Sequence, residues 1–133
     1  MRKQLAAAGL GLALALGGIA VAPAADAATT AGCTGASCYG KDPDAMGCGG
    51  DAYTAASVNT AHGLVEIRYS PVCKANWARI SNAPAGTWFW VQNSNGQEQQ
   101  FYLPSGYTSG WTYMVDGTVK ARAGNGDAYT VWV

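Results

Sequence analysis

RYSPVCKANWARI, Arg68 to Ile80, closes one alternating apolar run and opens another. In the run that ends here, Leu64 to Tyr69, Val65, Ile67 and Tyr69 point one way. Leu64, Glu66 and Arg68 point the other, the period-two pattern of a half-buried strand. Glu66 and Arg68 share a face two residues apart and are placed to pair; Lys74 is a second partner for Glu66. Ser70-Pro71 ends the strand, because proline cannot donate to a ladder. Beyond Cys73, Trp77 and Arg79 share one face and Ala78 and Ile80 the other. A large aromatic four residues after a cysteine is an efficient core filler in a small domain, so Trp77 is predicted to be buried. Arg79 is expected to lie over an aromatic face.

The same alternation continues outward. Asp51 to Val58 reads as a first strand and Asn59 to Gly63 as a turn. Trp88 to Gln92 (WFWVQ) is strongly β-prone. Asn93-Ser94-Asn95-Gly96 is a hairpin signal, and Gln97 to Leu103 returns from it. After a turn at Pro104 to Gly106, Tyr107 to Val115 and Thr118 to Ala123 are predicted as a second hairpin about Asp116-Gly117. Gly124 to Asp127 turns once more before Tyr129 to Val133. Short strands broken by Gly, Pro and Asn turns predict an all-β fold, a small antiparallel sandwich or barrel.

The chain opens with Arg2 and Lys3, then the apolar run Leu5 to Ala22, then Ala25-Asp26-Ala27. This is the pattern of a secretory signal peptide, residues 1–27, cleaved after Ala27. A membrane anchor is the competing reading, but the Ala/Gly-rich run is barely long enough to span and a good cleavage site follows. Residues 28–133 are then one secreted β domain, with 28–50 a Gly- and Cys-rich irregular segment. The chain balances 8 Lys and Arg against 8 Asp and Glu. No basic patch of the kind phosphate backbones require is visible, so nucleic acid is not an expected partner.

The four cysteines, Cys33, Cys38, Cys48 and Cys73, all follow the leader. An even number in an exported chain argues for two disulfides. Three pairings are open. Cys33–Cys38, closing a tight loop, with Cys48–Cys73, tying the N-terminal segment to the quoted stretch, is the favoured one. Zinc competes poorly here, since neither a CxxC nor a His pair is present. Asp42, Asp44 and Asp51 form a weak calcium candidate, because hard cations take several carboxylate oxygens. Their spacing does not fit an EF-hand, and solvated turn residues with Asp51 bonding backbone are the plainer reading.

Catalysis has little material. His62, the one histidine, lies in a turn, and no nucleophile elbow accompanies it. Glu66 and Glu98 are the only glutamates, both on expected β surface, and four structural cysteines leave no thiol nucleophile. The residues call for no cofactor and no catalytic group. Aromatic residues are better placed: Trp88, Trp90, Tyr102, Tyr107, Trp111 and Tyr113 cluster in the C-terminal half. Trp88 and Trp90 share one face of a strand and Phe89 and Val91 the other. Both faces of a sandwich strand do not enter one core, so Trp88, Trp90, Tyr102, Tyr107 and Trp111 are the candidate exposed binding face. Core filling by Trp88 and Trp90 is the competing reading.

Several motifs together resemble a known family. They are Cys33-x4-Cys38, GKDPDAMGC (Gly40 to Cys48) with Asp51-Ala52 and Thr54, EIRYSPVCKANWARI (Glu66 to Ile80), Tyr113-Met114-Val115 and Lys120-Ala121-Arg122-Ala123. Across nearly the whole domain the chain is similar to the YjfA-like secreted proteins of Gram-positive bacteria, mostly actinobacteria, which form domain-of-unknown-function family 2690. The resemblance implies export, a β fold and disulfides, and no activity. Many members carry a further cysteine pair near the end, in an Ala-Arg-Ala-Cys context. Here Gly124 follows Ala123, which implies a C-terminal strand held by pairing and packing alone. The expected function is a secreted non-enzymatic module that binds a protein partner or joins an extracellular complex. A cell-wall carbohydrate binder using the aromatic face comes second, and a small hydrolase third.

Overall fold

The computed structural model describes residues 30–133; the predicted signal peptide and its cleavage point lie outside the described residues. Eight strands follow a single 3-10 turn at Gly35–Cys38: β1 (Tyr53–Thr60), β2 (Gly63–Ser70), β3 (Ala75–Ser81), β4 (Trp88–Asn93), β5 (Glu98–Tyr102), β6 (Gly110–Trp111), β7 (Val115–Asp116) and β8 (Ala121–Asn125). The stretch around Cys73 becomes the β2–β3 hairpin, with Ser70 opposite Ala75 and Val65 opposite Ile80. Its turn is held by the Asp51 carboxylate, which accepts from Ser70 Oγ at 2.7 Å and from Val72 N–H at 2.8 Å.

The strands form two antiparallel sheets. The first runs β1-β2-β3-β6, with β7 also on β3, and the second runs β5-β4-β8. The sheets do not close into a barrel. Between them lies one core, built from the alternating residues expected to point inward: Val65 and Ile67 of β2, Ala78 and Ile80 of β3, Phe89 and Val91 of β4, with Val115, Ala121 and Ala123. The fold is therefore an all-β sandwich. Ala31–Val133 forms one compact unit.

A second core lies on the other face of the first sheet. Cys33 is joined to Cys38 and Cys48 to Cys73. The cystines, with Ala75 and Met114, enclose Trp77, which is 4 % exposed. The irregular N-terminal segment thus forms the lid over the outer face of β3.

The predicted hairpin about Asp116-Gly117 is not formed. Most of residues 107–120 is irregular; β6 and β7 attach to β3 of the first sheet, whereas β8 crosses to β4 of the second. Asp116 and Gly117 serve a different end. The Asp116 carboxylate accepts from Thr118 N–H and Oγ, turning the chain locally. Gly117 lies where a Cβ would stand 2.9 Å from the Ala75 backbone, and its N–H donates to Lys74 O. Glycine is needed for close approach to β3 rather than for a two-residue turn. Between β6 and β7, Thr112 Oγ accepts from Ala78 N–H at 3.1 Å, taking the place of a strand carbonyl.

Candidate functional site

Alternation along β4 sends Phe89 and Val91 into the core, which leaves Trp88, Trp90 and Gln92 on the outer face of the second sheet. Register then fixes their neighbours. Tyr102, Gln100 and Glu98 of β5 stand opposite Trp88, Trp90 and Gln92. On the other side, β8 sets Gly124 opposite Trp90 and Arg122 opposite Gln92.

Trp90 departs from the expected exposure: it is 8 % exposed. The C-terminal segment folds back over it. The Tyr129 ring lies 6.3 Å from the Trp90 ring, and a Cβ on Gly124 would meet Trp90 Cζ2 at 2.6 Å. Gly124 thus makes room for the indole. The expected strand over residues 129–133 does not form; the segment instead docks through scattered backbone bonds: Thr130 N–H donates to Ala123 O, and Ala121 and Val133 exchange both backbone bonds. The Arg122 guanidinium lies 4.5 Å from the ring centroids of both Tyr129 and Trp132. Cation–π contact therefore falls to Arg122 and not to Arg79, the residue expected to make it.

Trp88 is half-buried and Tyr102 is 65 % exposed. A chain of hydrogen bonds links the rings across the face. Trp88 Nε1 donates to Gln100 Oε1 at 3.1 Å, and Gln100 Nε2 donates to Glu98 Oε2. Gln92 Nε2 donates to Glu98 Oε1 at 3.2 Å, and Arg122 Nε donates to Gln92 Oε1 at 2.9 Å. Donors converge from both sides on the Glu98 carboxylate. Two amides and a carboxylate are thus held in fixed orientation between Trp88 and Tyr102 at one end and Tyr129 and Trp132 at the other. Beside Trp88 a cleft of about 230 Å³ is lined by His62, Thr87, Asn125, Gly126 and Asp127. His62 remains in an exposed turn, with Nδ1 2.7 Å from Asp127 Oδ2.

The remaining candidates lie elsewhere. Tyr107 is exposed in the turn after β5, its N–H donating to Pro104 O. Trp111 is opposite Arg79 on the outer face of the first sheet, and its Nε1 donates to Asp42 Oδ1 at 2.9 Å. The five expected aromatics therefore do not form one face: Trp88 and Tyr102 share it, Trp90 is buried in it, and Tyr107 and Trp111 are outside it. Tyr129 and Trp132 belong to the face instead. Alternation cannot reveal them, because they come from an irregular segment that reaches the sheet through tertiary packing.

Asp42, Asp44 and Asp51 are not drawn together. Asp42 Oδ2 caps Ala45 N–H while its Oδ1 receives Trp111, and Asp51 holds the β2–β3 turn. Among the described residues the one group with metal-ligand proximity is the four cysteines. Glu66 pairs with neither Arg68 nor Lys74. Register sets Arg79 directly opposite it, and Arg79 Nε donates to Glu66 Oε1 at 2.9 Å. Arg68 bonds Thr54 Oγ1 and Ala52 O instead. The Arg79 hydrogen bond holds the Glu66 carboxyl below its ordinary range; burial opposes this, while the Thr54 hydroxyl and the charges of Arg79 and Arg68 reinforce it.

Residues 36–131 match the profile of a family described as "Protein of unknown function (DUF2690)". No curated protein and no solved structure matches the chain.

Proposed function

The chain belongs to the DUF2690 family, and from its surface we propose that it is an exported, non-enzymatic binding module whose ligand is a cell-wall polysaccharide. The observation that carries this reading is the outer face of the second sheet. There, rings at Trp88, Tyr102, Tyr129 and Trp132 flank amides and a carboxylate already fixed by one another. Sugar rings present apolar CH faces for stacking and hydroxyls for hydrogen bonding, and this surface offers complements to both. Fixing the amides before binding lowers the entropy cost of ordering them. Export is supported by the leader-like N-terminus and by two disulfides; a Gram-positive wall is the setting that the YjfA-like resemblance implies.

A protein partner or extracellular complex is the second reading. It is favoured by Val131, 72 % exposed beside Trp132, but it calls for a contiguous apolar patch, and here polar side chains interrupt the rings. A hydrolase has the least support, since His62 meets Asp127 on an open turn. Sedimentation with insoluble peptidoglycan and chitin tests the proposal. Wild-type protein is expected to sediment with at least one polymer. Tyr102→Ala, which removes an exposed ring without opening the core, should weaken that by about thirtyfold, the scale of a binding hot spot. Protein that stays in the supernatant with both polymers, or a Tyr102→Ala variant that binds unchanged, overturns the carbohydrate reading.

A further inference from the structure

The two disulfides are neighbours. The Sγ atoms of Cys33, Cys38, Cys48 and Cys73 all lie within 4.8 Å of one another, and none of the four residues is more than 7 % exposed. They arrive from three places: the 3-10 turn and its approach, the loop before β1, and the β2–β3 turn. Tertiary structure therefore assembles what sequence spacing does not contain, since no CxxC is present. A tetrahedral zinc site with four cysteine ligands has Zn–S bonds of about 2.3 Å, which sets its sulfurs about 3.8 Å apart. Reduced sulfurs that are no longer bonded move apart to roughly van der Waals distance, and the longest separations here need to close by only about 1 Å to reach that tetrahedron.

We propose that this quartet is a latent tetrathiolate metal site: with both disulfides reduced, the folded chain binds one zinc ion through Cys33, Cys38, Cys48 and Cys73. A dithiol reductant opens each disulfide. It supplies two electrons and two protons per bond, and leaves as its own cyclic disulfide. Zn²⁺ then displaces four thiol protons and forms four Zn–S bonds, giving a centre of net charge −2. Lys41 follows Cys38 closely in the chain, and its Nζ turns back to Ser37 O at 3.1 Å, beside the segment that carries Cys38. Trp77 and Met114 pack against the quartet and keep water from it. The metal joins the same three segments that the disulfides join, so a reduced chain keeps its lid over Trp77.

The proposal stands apart from the polysaccharide reading, which concerns the other sheet, and its test has its own readout. Protein reduced anaerobically with a phosphine, then freed of reductant, is titrated with Co²⁺ and afterwards with Zn²⁺. The expected result is uptake of one equivalent of cobalt with the ligand-field spectrum of a tetrahedral tetrathiolate, displaced by zinc. All four thiols should become protected from alkylation, and the near-ultraviolet circular dichroism of the tryptophans should match that of the oxidised protein. Cys33→Ser with Cys38→Ser, which retains the Cys48–Cys73 pair, should lose the cobalt spectrum. Failure to take up stoichiometric metal overturns the proposal. So does the same spectrum in the double variant, or metal uptake without the native circular dichroism, which would locate the metal on an unfolded chain.

Discussion

Trp77 and Trp90 are both buried on the outer faces of their sheets, and each needs a cover from outside the strands. Over Trp77 the cover is the cystine-bearing loop; over Trp90 it is Tyr129 on the returning C-terminus. Trp77→Ala is expected to cost roughly 3–5 kcal/mol, the transfer and cavity cost of a buried large aromatic. Trp90→Ala should approach that range, whereas Tyr102→Ala should be within about 0.5 kcal/mol of neutral, as for an exposed side chain. Urea unfolding of the three variants checks the order, and a near-neutral Trp77→Ala would contradict the second core. Glu66 gives a pH signature. Its carboxyl titrates lower in the folded chain than in the unfolded one, through the Arg79 hydrogen bond first. The stability it contributes is therefore fully present above the unfolded value, about 4.3, and is lost as pH falls through the folded value. Glu66→Gln should flatten the acid limb of a stability-against-pH curve in that window. An unchanged limb would mean that another carboxylate dominates it.

Among the elements, β1 to β5 were legible because each carries its own signal: alternation at Val65-x-Ile67, aromatic and β-branched density in WFWVQ, Asn-Gly between β4 and β5. The pairing of β8 with β4 was not legible, because Asp116-Gly117 has the composition of a hairpin turn and the actual reason for the glycine is contact with Ala75, which lies on a remote strand. The candidate face was half legible for the same reason. Trp88 and Tyr102 follow from strand periodicity, while Trp132 and Tyr129 depend on where an irregular segment docks. That docking turns on Arg122, between two rings and bonded to Gln92. Each cation–π contact at a partly exposed site is worth about 0.5–1 kcal/mol. Arg122→Ala should thus release the segment by roughly 1–2 kcal/mol while leaving the sandwich intact. Hydrogen exchange reads this directly: the amides of Thr130 and Val133 should exchange faster, and those of β2 and β3 should not. Uniform acceleration would mean that the segment and the sandwich open together.

At the scale of the described residues, a sandwich with three strands in its second sheet covers its outer surfaces with the irregular segments that flank the strands, and the disulfides fasten the one before β1. The two bonds are unequal in what they constrain. Cys48–Cys73 closes a separation of 25 residues and joins the loop before β1 to the β2–β3 turn, whereas Cys33–Cys38 closes 5 residues within one segment. In the chain-entropy model the first stabilises by roughly 3–4 kcal/mol and the second by about 2 kcal/mol. Non-reducing peptide mapping should recover the Cys33–Cys38 and Cys48–Cys73 links, and any crossed link would refute the arrangement of the lid. Paired Cys→Ala variants then separate entropy from packing. Losing Cys48–Cys73 should lower the urea midpoint more than losing Cys33–Cys38, with tryptophan fluorescence reporting the opening of the lid over Trp77. All four sulfurs sit in the Trp77 cluster, so packing predicts nearly equal losses for the two pairs, while loop length predicts unequal ones. Equal midpoints would show that the cystines act chiefly as the apolar filling of the second core, and that the length of chain each one closes is secondary.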